Sequence, residues 1–422
     1  MVKNYYKFGF LILLSLLIYS RSPYIFSYGR FFSLDLVYHF KIETLNLTHS
    51  LFFIDYNARY LNFISNISSV ISSRFFALEN AQYVAVYLSL LVYFIILYKI
   101  LFEESELFPN LVQKYIFSIL VILTPVMSFE IWLNAINLQV YLGLLSIIIL
   151  FLNPDKTKKI FNYFLLIICG LSGIYSCALT PLFLWNYLRK KSRYNLICFL
   201  ILFICSIIQL SLILISTSIV EDGSSNTVVI LEFSKYEPIS FIYNTVIRAF
   251  FGSSFPKFIF EIFGFNLKEV LTNDNIKDLL FFISLFISLI LIFFSIWVFK
   301  SFKKKEKEVV YIYLISIFII TSFVVIVGGV SDSLHGRYSA LPGITIILIV
   351  LHVASNSTKT FLKNLSIILI GCTLFFGLYD YRLKNYLVYF DCINCPDWQM
   401  EVKKYKSDKS YKPNAWPYHI DR

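Results

Sequence analysis

The chain has 422 residues, 58% of them hydrophobic and only 15% charged, with a mean hydropathy of +0.71. Soluble domains carry roughly 25% charged residues and their cores stop growing at about 250–300 residues, so this composition excludes a water-soluble globule and requires lipid. The net charge of +11 does not imply nucleic acid, because the cations gather in short loops beside apolar runs, as topology signals do, and form no basic face of a soluble domain.

The first apolar run, 5–21, follows Lys3 and Lys7 as the core of a signal peptide would. Arg21, Ser22 and Pro23 then stand where small residues would mark cleavage, so the run reads as an uncleaved first span. Further runs of spanning character lie at 82–102, 114–128, 138–152, 196–217, 279–299, 309–329, 341–354 and 365–381, which makes nine clear spans. Several are short and call for a thinned bilayer or extension into the interface. Segment 160–188 differs. Lys156, Lys158 and Lys159 precede it and Arg189, Lys190, Lys191 and Arg193 follow, so both flanks belong on the cytoplasmic side. Two full crossings need about 40 residues. A pair of short helices broken near Gly170, Gly173 and Pro181 is therefore expected. The expected fold is an all-α, polytopic transmembrane bundle of about eleven helices over 1–381, followed by a tail at 382–422.

The remaining basic loops, 300–307 and 359–363, fall on the same side as the N-terminus. The expected location is the cell (inner) membrane, with a cytoplasmic N-terminus and an extracytoplasmic C-terminus. Segments 22–81, 129–137, 218–278, 330–340 and the tail are then external, and most of the chemically interesting residues lie in them. Within 58–76, Tyr60, Phe63, Ile64, Ile67, Val70 and Ile71 recur at helical spacing opposite Asn62, Ser65, Asn66, Ser68, Ser69, Ser72 and Ser73. Such an amphipathic helix is expected in the plane of the membrane interface. A second mixed stretch lies at 236–266.

Two carboxylates of the first external loop are candidate general bases or ion ligands: Asp35, and Asp55 in Phe-Ile-Asp-Tyr-Asn-Ala-Arg59-Tyr. Helix capping is the plain structural alternative for Asp55. Glu130, Asn134 and Asn137 join two spans at spacings of four and three, so they share one face if the segment is helical. Amide and carboxylate groups so placed bind sugars or head groups, or bond neighbouring helices. The densest polar stretch runs from Gly328 to Gly343 and holds His335 and Arg337. Arg337 can clamp a phosphate bidentately, His335 can act as acid or base, and interface anchoring is their structural alternative. Arg59 joins the substrate-binding set. Cys392 and Cys395 read as a disulfide in an oxidising compartment. The other five cysteines read as packing residues. No Walker A loop, GxGxxG or HExxH occurs.

On these residues the chain resembles the GT-C superfamily of membrane glycosyltransferases. The resemblance lies in the acidic residues after the first span (Asp35, Asp55), the amphipathic helix at 58–76, the short helices at 160–188, and Arg-Tyr-x-x-x-Pro-Gly from Arg337 to Gly343. It is architectural, and the adjacent acidic pair often found in that family's first loop is absent. The resemblance implies transfer of a sugar from a polyprenyl-phosphate carrier to a glycan or lipid acceptor on the extracytoplasmic face. A carboxylate would serve as base and Arg337 would steady the leaving phosphate, so that Asp35 or Asp55 and Arg337 would converge on one cavity. It implies no resident cofactor or metal, with a divalent cation as the one admissible addition. Two alternatives stay open: an O-antigen or polysaccharide polymerase or ligase, for which 218–278 would be the large late loop, and a transporter or flippase of lipid-linked substrates. The second predicts charged residues within spans and an internal repeat, and the sequence has little of either.

Overall fold

The computed structural model describes residues 2–27, 29, 31–54, 59–124, 131–221, 242–252, 293–328, 339–381, 398–411 and 413. Among them the regular structure is all helical, with only isolated bridges at Ile54–Leu61 and Phe302–Ser357. Among the described residues, four helices are long and apolar enough to cross a membrane: Leu78–Phe102, Arg193–Ile215, Lys305–Ile326 and Thr360–Tyr379. The bent pair Lys159–Leu171 and Ile174–Lys190 makes a fifth if counted as one span. The chain divides into two compact units.

The first unit comprises 1–103, 129–225 and 382–422. Its helices are α1 (Val2–Arg21), α2 (Pro23–Ser27), α3 (Ser33–Glu43), α4 (Leu47–Leu51), α5 (Phe63–Phe75), α6 (Leu78–Phe102), and then α7 (Leu111–Leu123), which belongs to the second unit. The first unit continues with α8 (Gln139–Leu150), α9 (Lys159–Leu171), α10 (Ile174–Ala178), α11 (Thr180–Lys190) and α12 (Arg193–Glu221). The second unit, 104–128 and 226–381, adds α13 (Arg248–Phe251), α14 (Lys305–Gly328), α15 (Ala340–Asn356) and α16 (Thr360–Tyr379). The helix α17 (Trp398–Ser407) returns to the first unit.

Of the nine spans expected, the described residues show four or five helices of spanning length, and helix length sets two of the others apart. At 1.5 Å per residue the twelve residues of α8 reach about 18 Å and the thirteen of α7 about 20 Å, against a hydrocarbon core of about 30 Å. All twelve residues of α8 are buried. It is apolar all round because it is wrapped by protein, and a sequence pattern cannot separate that from contact with lipid. The seventeen residues of α15 are likewise mostly buried. Most of the expected span 279–299 lies outside the described residues, as does most of the mixed stretch 236–266.

The break expected in 160–188 is present. α9 and the α10–α11 segment meet at 111° across Ser172 and Gly173. Gly173 has φ 154° and ψ 170°, a region only glycine enters readily, and a Cβ there would lie 2.6 Å from Gln139 Cβ. Pro181 does not break the chain. It sits in the first turn of α11, where no N–H is needed.

The helix α5 forms as expected but presents its faces in the opposite sense to an interface helix. Ser65, Asn66, Ser68, Ser69 and Ser72 are buried, while Phe63, Ile67 and Ile71 are half exposed and Phe75 is fully exposed. The polar face turns into the protein because its side chains are small, and Ile64 and Val70 are buried beside it. Asn66 Nδ2 donates to Leu51 O at 3.0 Å and to Phe53 O at 2.8 Å, while Ser72 and Ser73 donate to Ser69 O of their own helix at 3.1 and 2.7 Å. Small hydroxyl residues allow the close helix packing favoured in membranes.

The tail helix α17 docks on α3 and the start of α6. Trp398 packs edge-on against Phe31 at 5.6 Å and donates its indole N–H to Leu78 O at 3.0 Å. Val402 closes a small core with Phe31, Leu36 and Ala81. In the second unit, α7 and α16 approach so closely that a Cβ at Gly377 would lie 2.2 Å from Leu123 O. Thr321, Thr345 and Thr373 satisfy their hydroxyls on carbonyls one turn back, which lets them sit in apolar helices. Cys169, Cys177, Cys198 and Cys205 are buried free thiols.

Candidate functional site

Irregular backbone inside a membrane bundle must be buried in protein or line a cavity, because lipid offers it no hydrogen bonds. Three such pieces meet in the first unit: residues 59–62, the loop 131–138, and the α9–α10 break. Each is stitched by side chains from regular helices. Gln209, an amide in the apolar middle of α12, accepts the Leu61 N–H at 3.0 Å and donates to Leu61 O at 2.9 Å and Gly170 O at 3.3 Å. Ser172 Oγ accepts the Ile64 N–H at 3.1 Å. Asn62 donates to Ile136 O at 2.9 Å, and Gln139 donates to the Tyr60 hydroxyl at 2.9 Å.

Asp35, near the start of α3, is 4% exposed. Its carboxyl oxygens accept the N–H groups of Ala135 at 3.2 Å and Ile136 at 3.0 Å, one to each oxygen. Burial pushes this carboxyl up to about 7, and the two backbone N–H groups pull against that rise. His39, one turn further along α3, is buried, and desolvation lowers it to about 4, so it is neutral at pH 7. Its Nδ1 lies 2.8 Å from Ser72 Oγ on α5.

The loop 131–138 is wholly buried. Asn134 and Asn137 were expected on one helical face with Glu130, but 131–138 is not a regular helix. Leu133 takes φ 49°, and Asn134 Oδ1 accepts the Asn137 N–H at 3.0 Å, so these amides fold the loop on itself. Asp35 and Asn62 then bind its backbone from outside. Arg59 takes φ 59°. Of the three non-glycine residues with positive φ among the described residues, Arg59 and Leu133 lie in these two segments. A left-handed conformation costs such residues roughly 1–2 kcal/mol and is kept where surrounding contacts impose it, often at functional sites. Trp132, fully buried in the same loop, packs edge-on to Tyr93 at 5.3 Å, and the Arg21 guanidinium covers its face at 4.5 Å.

A second buried polar group closes the far end of α6. Lys99 pairs with Glu103 and bonds Asn162 Oδ1. Glu103 accepts from Thr157, while Asn162 donates to Thr157 at 2.7 Å and to the Tyr194 hydroxyl at 2.9 Å. The groups satisfy one another, so this network latches α6, α9 and α12 together.

The structure thus brings Asp35, Asn134 and Asn137 into one buried junction, with Arg59 on the adjoining segment. Asp55, Glu130, His335, Arg337, Cys392 and Cys395 lie outside the described residues, and so does the expected convergence of a carboxylate with Arg337. Among the described residues, no three His, Cys, Asp or Glu side chains are grouped as metal ligands. Sequence reasoning did not single out Gln209, Ser172, Arg21 or Trp132, and took Asn62 only as part of a polar helix face. Gln209 carried a signal, as an amide within a spanning run; Ser172 carried none, being one serine among many. No protein family, no curated protein and no solved structure matches this chain.

Proposed function

We propose that this chain is a membrane glycosyltransferase that moves a sugar from a polyprenyl-phosphate carrier to an acceptor on the extracytoplasmic face. The observation that carries the reading is the buried junction of 59–62 and 131–138. Strained, irregular backbone is held there by a desolvated carboxyl and several amides, inside a unit that also has membrane-spanning helices. Such a junction suits a substrate with a greasy tail and a polar head. In this reading Asp35 is a positioning residue, because both its oxygens are engaged by backbone N–H groups, and Asp55 is the general base. Arg337 steadies the leaving phosphate. The docking of α17 on α3 supports placing the tail and the first loop on one side of the membrane. The transporter reading expects charges within spans. Lys99 and Glu103 form such a pair, but their closed network favours a structural latch.

The test is transfer of labelled sugar from polyprenyl-phosphate carriers, by purified protein in liposomes supplied with membrane acceptors. Asp55→Asn keeps shape and removes the proton acceptor, and general-base loss typically costs about 10²–10⁴-fold in rate. Wild-type turnover retained in Asp55→Asn would remove the base from the mechanism. Cytoplasmic labelling of a cysteine placed after Tyr381 would put the site on the wrong face.

A further inference from the structure

We propose that the C-terminal end of α1 is a binding site for a lipid-borne phosphate, with Arg21, Ser22 and Trp132 as its donors. Arg21 is the last residue of α1, 3% exposed, and its guanidinium stays charged at any accessible pH. It lies over the Trp132 ring at 4.5 Å, a cation–π contact that holds the guanidinium beside the indole. The Trp132 indole N–H and the hydroxyl of Ser22, next to Arg21 in the chain, are both buried, and neither has a hydrogen-bond partner among the described residues. Buried donors are rarely left unpaired. The indole nitrogen can only donate. A cation beside such donors selects a ligand rich in acceptor oxygens and negative charge, which describes a phosphate.

The surroundings indicate that the phosphate comes on a lipid. α1 exposes Leu13, Leu16 and Tyr19 along one side, ending two residues before Arg21. Phe26 of α2 joins this strip to α6, at 5.3 Å from Tyr19 and 6.4 Å from Tyr87, both rings about half exposed. An apolar chain lying along α1 and α6 therefore leads to the cation. The indole is held in place from the other side, since Asp35 and Asn62 fix residues 135 and 136 of its loop. The inference rests on the transferase reading only for which lipid carries the phosphate.

Purified full-length protein in maltoside micelles, which contain no phosphate, would be titrated with polyprenyl monophosphate, phosphatidylglycerol and inorganic phosphate. Trp132→Phe keeps an aromatic face but removes the pyrrole ring with its N–H, and Arg21→Gln removes the charge. The expected result is lipid phosphate bound well ahead of inorganic phosphate. Trp132→Phe should weaken it roughly 10–100-fold, the weight of one hydrogen bond to a charged oxygen, in protein that still unfolds cooperatively, at a somewhat lower temperature because the indole is fully buried. Preference for polyprenyl monophosphate identifies the carrier; equal binding of phosphatidylglycerol identifies a bilayer phospholipid at the same site. Wild-type affinity in folded Trp132→Phe, or inorganic phosphate competing as well as the lipids, would overturn the site. Intact lipid binding without any sugar transfer would count against the transferase reading alone.

Discussion

Replacing Asp35 by Asn should become more favourable to stability by roughly 2.5 kcal/mol between pH 5 and pH 8. In the wild type the carboxyl is raised from 3.8 to about 7 by burial. Between those values the folded state holds a proton that the unfolded chain has lost, so stability falls as pH rises. Above pH 7 the buried group must be ionised, at a cost of about 4 kcal/mol for a shift of about three units at 1.36 kcal/mol each. Asn never carries that cost. It offers one acceptor where the structure uses two oxygens, so one of the Ala135 and Ile136 N–H groups is left facing a donor, worth roughly 1–3 kcal/mol. At pH 5, about 1.2 units above the unfolded value, roughly 1.6 kcal/mol of that cost is already present and offsets much of the second effect. The variant should then unfold within roughly 5 °C of wild type, at about 2–4 °C per kcal/mol for a unit of this size. At pH 8 the first effect is the larger, and the variant should match or exceed wild type. Thermal unfolding in detergent, followed at both pH values, measures the difference. His39, lowered to about 4, gains stability with rising pH in both proteins and cancels in the subtraction. An equal offset at pH 5 and pH 8 would refute the picture of a desolvated, loop-holding carboxyl.

Gln209→Leu should destabilise the first unit by about 2–5 kcal/mol, because it orphans both backbone groups of Leu61 inside the bundle; a midpoint shift no larger than that of Leu210→Ala on the exposed side of α12 would contradict it. Lys99→Met should cost about 3–5 kcal/mol by leaving Glu103 buried without its cation. Adding Glu103→Gln should recover much of that loss in the same unfolding assay, and no recovery would mean that the pair is not the source of the effect.

Much of the architecture could be read from local pattern. The apolar runs that became α6, α12, α14 and α16 were plain, as were the basic flanks of 160–188 and the glycine that breaks it. These features depend on residues close in sequence: hydropathy over one helix length, and one position that only glycine tolerates. The sequence alone also marked Asp35 as a carboxylate of the first external loop and Asn134 and Asn137 as amides where two spans join. Only the tertiary structure decided what they touch. Asp35 meets the N–H groups of residues 100 and 101 positions away, Gln209 reaches back 148, and Trp398 reaches back 320 to Leu78. The tertiary structure also decided orientation. The pattern in α5 established two faces but not which one turns inward, and the run at α8 established apolarity but not whether protein or lipid surrounds it. The physical reason is the same in each case. Apolar residues are equally at home in a protein core and in lipid, so composition alone cannot tell which neighbour they will have.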